Sequence, residues 1–209
     1  MAARQSDDSV TGMAAIAAWT YGYHLSTPRI FALSVVSFGL YLFYWAYRTW
    51  DQYREHTGAN VYPVWHALAM LVPIYGWFRF YAHCKAYRDL MEERGVPHNL
   101  RMAPILVVLI IATAAWSPVP TQWLNRYLGE SAIAVMIDLI LDVVSLVGML
   151  VATAMVCRIQ ANFNRYWASV DGELANRARV GRGAMVLAAL GLILWFTIAG
   201  YYVQYYLSN

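Results

Sequence analysis

Long runs of apolar residues without a charged side chain dominate this sequence. The clearest lies near the carboxyl end, where residues 184–207 contain no Asp, Glu, Lys or Arg. About 20 apolar residues in an α-helix cross the ~30 Å hydrocarbon core of a bilayer. Hydrophobic residues make up 60% of the chain and charged residues 13%, about half the charge of an ordinary soluble domain. A soluble core cannot hold such a ratio, so we expect an integral membrane protein.

Five apolar segments divide the chain. We predict an all-α, polytopic transmembrane helical bundle whose spans cover about residues 30–48, 61–78, 102–117, 131–157 and 184–207. We expect residues 1–28 to form an extramembrane lead. They do not resemble a cleaved signal peptide, because Asp7 and Asp8 lie where a signal peptide has basic residues. The fourth helix continues beyond its span to Trp167, since no Gly or Pro follows Gly148 in that stretch.

The second segment, 61–78, is the least regular of the five. Pro63, Pro73 and Gly76 interrupt it, so it either crosses with a kink or enters the membrane and turns back. The basic loops 79–101 and 158–183 indicate the cytoplasmic side. Either path of the second segment leaves 12 basic residues inside and three outside, so the charge rule does not choose between them. We expect five full crossings of a bacterial inner membrane.

Two aromatic motifs resemble a bacterial family. The sequence YLFYWAYRTW at residues 41–50, followed by PVWHALAMLVPIYGWFRF, is similar to the opening of an uncharacterised inner-membrane family that is labelled only as a domain of unknown function. The segment IQANFNRYW at residues 159–167 is similar to the stretch after that family's last-but-one span. The resemblance implies a multi-pass helical membrane protein. It implies no mechanism, because the family has no assigned activity.

The fourth span carries the candidate chemistry. Asp138 and Asp142 are acids in an apolar segment, where an ionised carboxylate costs ~2.5–3.5 kcal/mol on insertion scales. Their spacing places them on one helix face, and Ser145 continues that face. His66 of the second segment could lie at a comparable depth and bond to Asp138. The acids could share a proton in a proton or cation relay, or the polar face could simply hold helices together.

A second candidate site lies where the fourth helix leaves the membrane. Its residues could contact anionic lipid headgroups or a partner's loop: Arg158, Asn162, Asn164, Arg165 and Trp167. The same residues could merely end the helix at the interface.

Other kinds of site find little support. The five histidines include no pair at helical spacing, two cysteines are too few for a disulfide framework, and no catalytic or nucleotide-binding motif occurs. We therefore expect no metal, no cofactor, no enzymatic activity and, at a net charge of +3, no nucleic acid. The expected function is a scaffold or accessory subunit of a membrane complex, in contact with the bilayer, anionic headgroups and a membrane-protein partner or second copy. The alternative is a small proton- or cation-coupled carrier or channel that uses Asp138 and Asp142.

Overall fold

Helices account for the fold. The computed structural model describes residues 23–116, 132–171 and 180–208, so most of the predicted lead lies outside the described residues. The described residues form seven α-helices and one short 3₁₀ helix, which confirms the predicted all-α class. In chain order the elements are α1 Thr27–Val36, α2 Tyr41–Thr57, α3 Pro63–Leu68, the 3₁₀ helix Ala69–Leu71, α4 Tyr75–Glu93, α5 Met102–Ala115, α6 Ala132–Asp171 and α7 Arg182–Ser208.

Among the described helices, α6 and α7 are the two that are long and apolar enough to cross a membrane. The qualifying segments are Leu139–Val170 and Arg182–Gln204. Only 28% and 11% of their most apolar 18-residue windows are buried within the protein, whereas the core helix of a soluble protein is mostly buried. α6 is one continuous helix about 60 Å long, which confirms that the fourth helix extends to Trp167. The count of five spans remains a prediction.

The stretch predicted as the first span, 30–48, is a helical hairpin instead of one helix. Four turn residues separate α1 from α2, and two of them, Phe38 at a φ of 51° and Gly39 at 83°, are in the left-handed region. The Tyr41 N–H at the start of α2 donates a hydrogen bond to the Ser37 hydroxyl at 2.8 Å. With 10 residues, α1 is about 15 Å long, half the thickness of a hydrocarbon core.

Hydrogen bonds to α6 show that the chain returns to the level at which it entered the hairpin. Before α1, the Leu25 N–H donates to Asn164 Oδ1 at 3.2 Å, and Asn164 Nδ2 donates to the Leu25 carbonyl at 2.7 Å. After the turn, Trp45 of α2 donates its indole N–H to Gln160 Oε1 at 2.7 Å. Because Gln160 and Asn164 are about one turn apart, α1 and α2 both pack beside the carboxyl-terminal half of α6.

Residues 61–78 also form a hairpin. A turn in which Ile74 has a φ of 66° follows the 3₁₀ helix, and α4 then packs back on that 3₁₀ helix. Gly76 packs so closely on the preceding segment that a Cβ there would lie 2.5 Å from the Met70 carbonyl oxygen. Arg79 Nη2 of α4 lies 3.1 Å from His66 Nε2 of α3. The segment is therefore not a single kinked helix.

Small residues bring α5, α6 and α7 close to their neighbours. A Cβ on Gly148 of α6 would lie 2.6 Å from the Ala112 carbonyl oxygen of α5, and Gly191 of α7 packs directly on the backbone of Ser37 at the tip of the first hairpin. Trp195 of α7 donates its indole N–H to the backbone of α1 at 3.0 Å. These contacts place the first hairpin between α6 and α7.

Candidate functional site

An aromatic cluster fills the space between α2, α4 and the carboxyl-terminal half of α6. Tyr87 of α4 stacks on Phe163 of α6 with ring centroids 3.7 Å apart, and Phe163 also stacks on Trp45 of α2. The Tyr87 hydroxyl donates to the Thr49 carbonyl at 2.8 Å. Six residues of this cluster are at most 1% exposed: Trp45, His83, Tyr87, Phe163, Tyr166 and Trp167. Such large buried rings contribute much of the packing energy of a small fold.

The residues of the second candidate site lie on the same stretch of α6 as this cluster, and Trp167 belongs to it. Asn162 and Trp167 are 1% exposed, and Asn164 is half-buried. Asn162 Oδ1 accepts a hydrogen bond from the Asn99 N–H at 3.1 Å, just as Asn164 holds the backbone before α1. These amides therefore attach neighbouring segments to α6. The other two members of the predicted set are exposed: Arg158 and Arg165.

The predicted polar face of α6 contacts α7 and the end of α5. Tyr202 donates a hydrogen bond to the Asp142 carboxylate, and Ser145 donates to the Trp116 carbonyl at 3.2 Å. The side chain of Asp138 lies outside the described part of the chain. The described polar residues of this face thus join helices near the amino-terminal end of α6.

His66 lies in a different part of the molecule. It stacks on Trp50 at a centroid distance of 4.6 Å, and Trp50 stacks in turn on His83 at 4.6 Å. Trp50 follows Trp45, whose partner Gln160 is 18 residues beyond Asp142 on α6, or about 27 Å along the helix. The structure brings His66 to the aromatic cluster and does not bring it to Asp142.

His83 is enclosed within the cluster, and sequence reasoning assigned it no role. It is fully buried, and neither ring nitrogen has a hydrogen-bond partner among the described residues. Burial, with a smaller contribution from the Arg79 charge, lowers the pKa of His83 from 6.5 to about 3. The ring is therefore neutral at physiological pH. Four rings surround it at centroid distances of 4.6 to 5.7 Å: Trp45, Trp50, Tyr87 and Phe163.

A pocket opens between α1, α2 and the start of α7, at the same end of the molecule as the aromatic cluster. Arg29 and Arg48 are two of its ten described lining residues, and none of the ten is acidic. Tyr41, Tyr44 and Gly181 also line it. Sequence reasoning did not identify this pocket, because its residues come from three separate segments. Its only signal in the sequence is a pair of arginines that flank the first apolar block.

Comparison with protein-family models, with curated proteins and with solved structures finds no match to the chain. The geometry of the sites is therefore the basis on which function is proposed.

Proposed function

We propose that the chain is a multi-pass membrane protein of the bacterial inner membrane and acts as a non-enzymatic scaffold or accessory subunit of a membrane complex. The main support is a contrast along α6, whose second half packs in the aromatic cluster while its first half exposes apolar side chains. Contact with lipid or with a partner helix would remove these apolar side chains from water. Six residues of that first half are each more than half exposed: Ile133, Met136, Leu139, Ile140, Val143 and Val147.

The lengths of α6 and α7 are consistent with one position of the bilayer. From an inner headgroup level at Arg158 and Arg182, a ~30 Å core extends about 20 residues along each helix, to Asp138 and Tyr202. The hydrogen bond between Tyr202 and Asp142 agrees with this level, because Asp142 is one turn from Asp138. The acids then lie near the outer interface, where ionised carboxylates cost less than at the centre. This position favours a structural role for the pair.

With the bilayer at this position, the two hairpins reach only part of the way across its hydrocarbon core. The first hairpin packs through Gly39 on Trp116 at the end of α5, and Trp77 beside the second turn donates to Thr113 Oγ1 at 3.3 Å. We infer crossings by α6, by α7 and by the apolar segment that begins with α5, with both hairpins re-entrant from the cytoplasmic side. The carboxyl-terminal end of α2 and the linker 58–62 then face the cytoplasm. Fourteen of the 15 basic residues lie inside and only Arg126 outside, a stronger bias than five crossings produce.

Labelling of single cysteines tests this arrangement. With Cys84 and Cys157 replaced by Ala, we expect Asn60→Cys in the loop after α2 to react with a membrane-impermeant maleimide only from the cytoplasmic side. Lys85→Cys is the cytoplasmic control, and Asn125→Cys should react only from outside. Labelling of Asn60→Cys from the outside would contradict the re-entrant hairpins and support five crossings.

An accessory subunit should purify together with its complex. We expect a tagged chain at native expression level, extracted in mild detergent, to carry a stoichiometric membrane-protein partner detectable by mass spectrometry. Exchange of the detergent for a harsher one provides the control, since it should release the partner without unfolding the chain. Purification of the chain alone under mild conditions would contradict the scaffold proposal.

A small proton- or cation-coupled carrier is the second candidate, because Asp142 and Tyr202 form a hydrogen bond between two otherwise apolar helices. Such a carrier would act alone in liposomes and would lose pH-driven flux in Asp138→Asn and Asp142→Asn variants. Equal flux in wild type, in both variants and in protein-free liposomes excludes it.

A further inference from the structure

The second hairpin, which comprises α3, the 3₁₀ helix and the first turns of α4, exposes an apolar surface. Residues 71–75 at its tip are all exposed, and residues 56–78 contain no Asp, Glu, Lys or Arg. The tip of the first hairpin differs, because Gly191 of α7 packs on Ser37 there. An apolar surface of this kind commonly contacts lipid or another protein. Six side chains of the second hairpin are each more than half exposed: Tyr62, Val64, Trp65, Leu71, Ile74 and Phe78.

The chemistry of the exposed side chains changes in one direction along α4. Four exposed residues spaced three or four apart form one face of the helix, from the tip outwards: Ile74, Phe78, Tyr81 and Lys85. The order is aliphatic, aromatic, amphipathic and cationic. Arg79 lies off this face, where it is half-buried and 3.1 Å from His66. The other arm has the same order, with Tyr62 and Trp65 at the base and exposed leucines nearer the tip.

This order is the order of a bilayer from its centre to its surface. Aliphatic side chains suit the hydrocarbon, Trp and Tyr concentrate at the interface, and lysine lies among the headgroups. A protein partner would instead bury an apolar centre that a polar rim surrounds on all sides. The change in one direction therefore favours lipid over a partner subunit as the neighbour of this surface.

The length of the hairpin matches one leaflet. From Ile74 to Lys85, α4 rises about 16 Å, compared with ~15 Å for half of the hydrocarbon core. Tyr87, one turn or less beyond Lys85, stacks on Phe163 of α6 at a centroid distance of 3.7 Å. Phe163 lies on the cytoplasmic side of Arg158, at which the inner headgroup level is proposed. Lys85 is therefore close to the headgroups.

Contacts near the tip place it close to the middle of the bilayer. Trp77 donates its indole N–H to Thr113 Oγ1 of α5 at 3.3 Å. The adjacent residue, Ala112, packs on Gly148 of α6, which is about 15 Å along that helix from Arg158. We propose that the second hairpin inserts between the acyl chains of the inner leaflet alone, so that lipid covers its exposed face. This inference rests on the proposed membrane placement and adds that a partner subunit docks on another surface.

Spin labels on the exposed face of α4 test the proposal. The full chain, with Cys84 and Cys157 replaced by Ala, is reconstituted in nanodiscs of phosphatidylglycerol and phosphatidylcholine. Power saturation then compares the access of oxygen, which concentrates in hydrocarbon, with that of a water-soluble nickel(II) chelate. We expect the ratio of oxygen access to nickel access to rise several-fold and stepwise along four labelled variants: Lys85→Cys, Tyr81→Cys, Phe78→Cys and Ile74→Cys. Ile193→Cys, on the exposed surface of α7, is the matched control within a proposed span.

The outcomes separate the two proposals. Nickel access at Ile74→Cys and Phe78→Cys, with oxygen access at Ile193→Cys, overturns the insertion of the hairpin and leaves the membrane placement intact. Nickel access at all three positions contradicts the membrane placement as well. An immobile label at Phe78→Cys that neither reagent reaches, in nanodiscs or in a complex purified with its partner, shows that protein covers this face and overturns lipid as its neighbour. Stepwise access in a chain that purifies without a partner supports the hairpin proposal and contradicts only the scaffold proposal.

Discussion

Replacing Trp45 by Ala should lower the free energy of unfolding by about 3–5 kcal/mol, which is the cost of deleting a large buried ring. Trp45 is 0% exposed, stacks on Phe163, and donates its indole N–H to Gln160. Its removal opens a cavity between α2, α4 and α6 and takes away one partner of a buried amide. Unfolding in mixed detergent micelles, followed by helical circular dichroism, measures the loss.

Trp65 provides a matched control. It is the same residue type in a neighbouring hairpin, but it is 71% exposed, so Trp65→Ala removes few contacts within the protein. We expect its effect on stability to be much smaller than that of Trp45→Ala. Equal losses in the two variants would contradict the assignment of the aromatic cluster as the core of the fold.

Stability should also fall on acidification below pH 6.5, through His83. The folded protein holds the pKa of His83 at about 3, compared with an ordinary value of 6.5, mainly because burial penalises the charged ring. Between these two pH values the unfolded chain binds a proton that the folded chain does not. Stability therefore rises with pH across this window, by about 1.4 kcal/mol per unit for one group, and this contribution is constant above pH 6.5. His83 lies beside Phe163, on the cytoplasmic side of the proposed headgroup level. In the unfolded chain its ring is therefore in contact with water at the bulk pH.

The His83→Gln variant isolates this contribution. Glutamine is polar but does not titrate, so the variant should lose part of its stability at neutral pH and also lose the dependence on pH that belongs to residue 83. Unfolding midpoints measured from pH 7 to pH 4 give the comparison. A slope in the variant as steep as that of the wild type would show that other groups control the acid sensitivity.

At the hairpin turns, the sequence contains residues that favour a turn, but the hydropathy of the surrounding block favours a single helix. Ser37 and Gly39 in the first apolar block are residues that commonly end one helix and start another, but the block contains no charge and has the length of a span. Hydropathy therefore predicted one helix. In 61–78 the interruptions by Pro and Gly are stronger, and they are compatible with both a kink and a reversal. Gly95, at a φ of 66°, lies just beyond the end of α4, a position that glycine commonly occupies.

In the candidate sites too, the sequence indicates individual residues but not the partners that they contact. Asp142 was recognised because an acid in an apolar helix stands out, but its partner Tyr202 is 60 residues away. The amides of Asn162 and Asn164 were expected at an interface, yet both hold backbone segments from elsewhere in the chain. The pocket around Arg29 and Arg48 was not predicted at all.

By itself, the sequence determined the helical class, the two long apolar helices, the extension of α6 past its span and the concentration of basic residues in particular loops. These properties depend on residues close together along the chain, through helix propensity and hydropathy. Only the tertiary structure decided that two apolar blocks fold as hairpins, that His83 is buried with no hydrogen-bond partner among the described residues, and that Arg29, Arg48 and Gly181 line one pocket. The physical reason is that each of these depends on contacts between distant segments, such as Leu25 with Asn164, which no local pattern specifies.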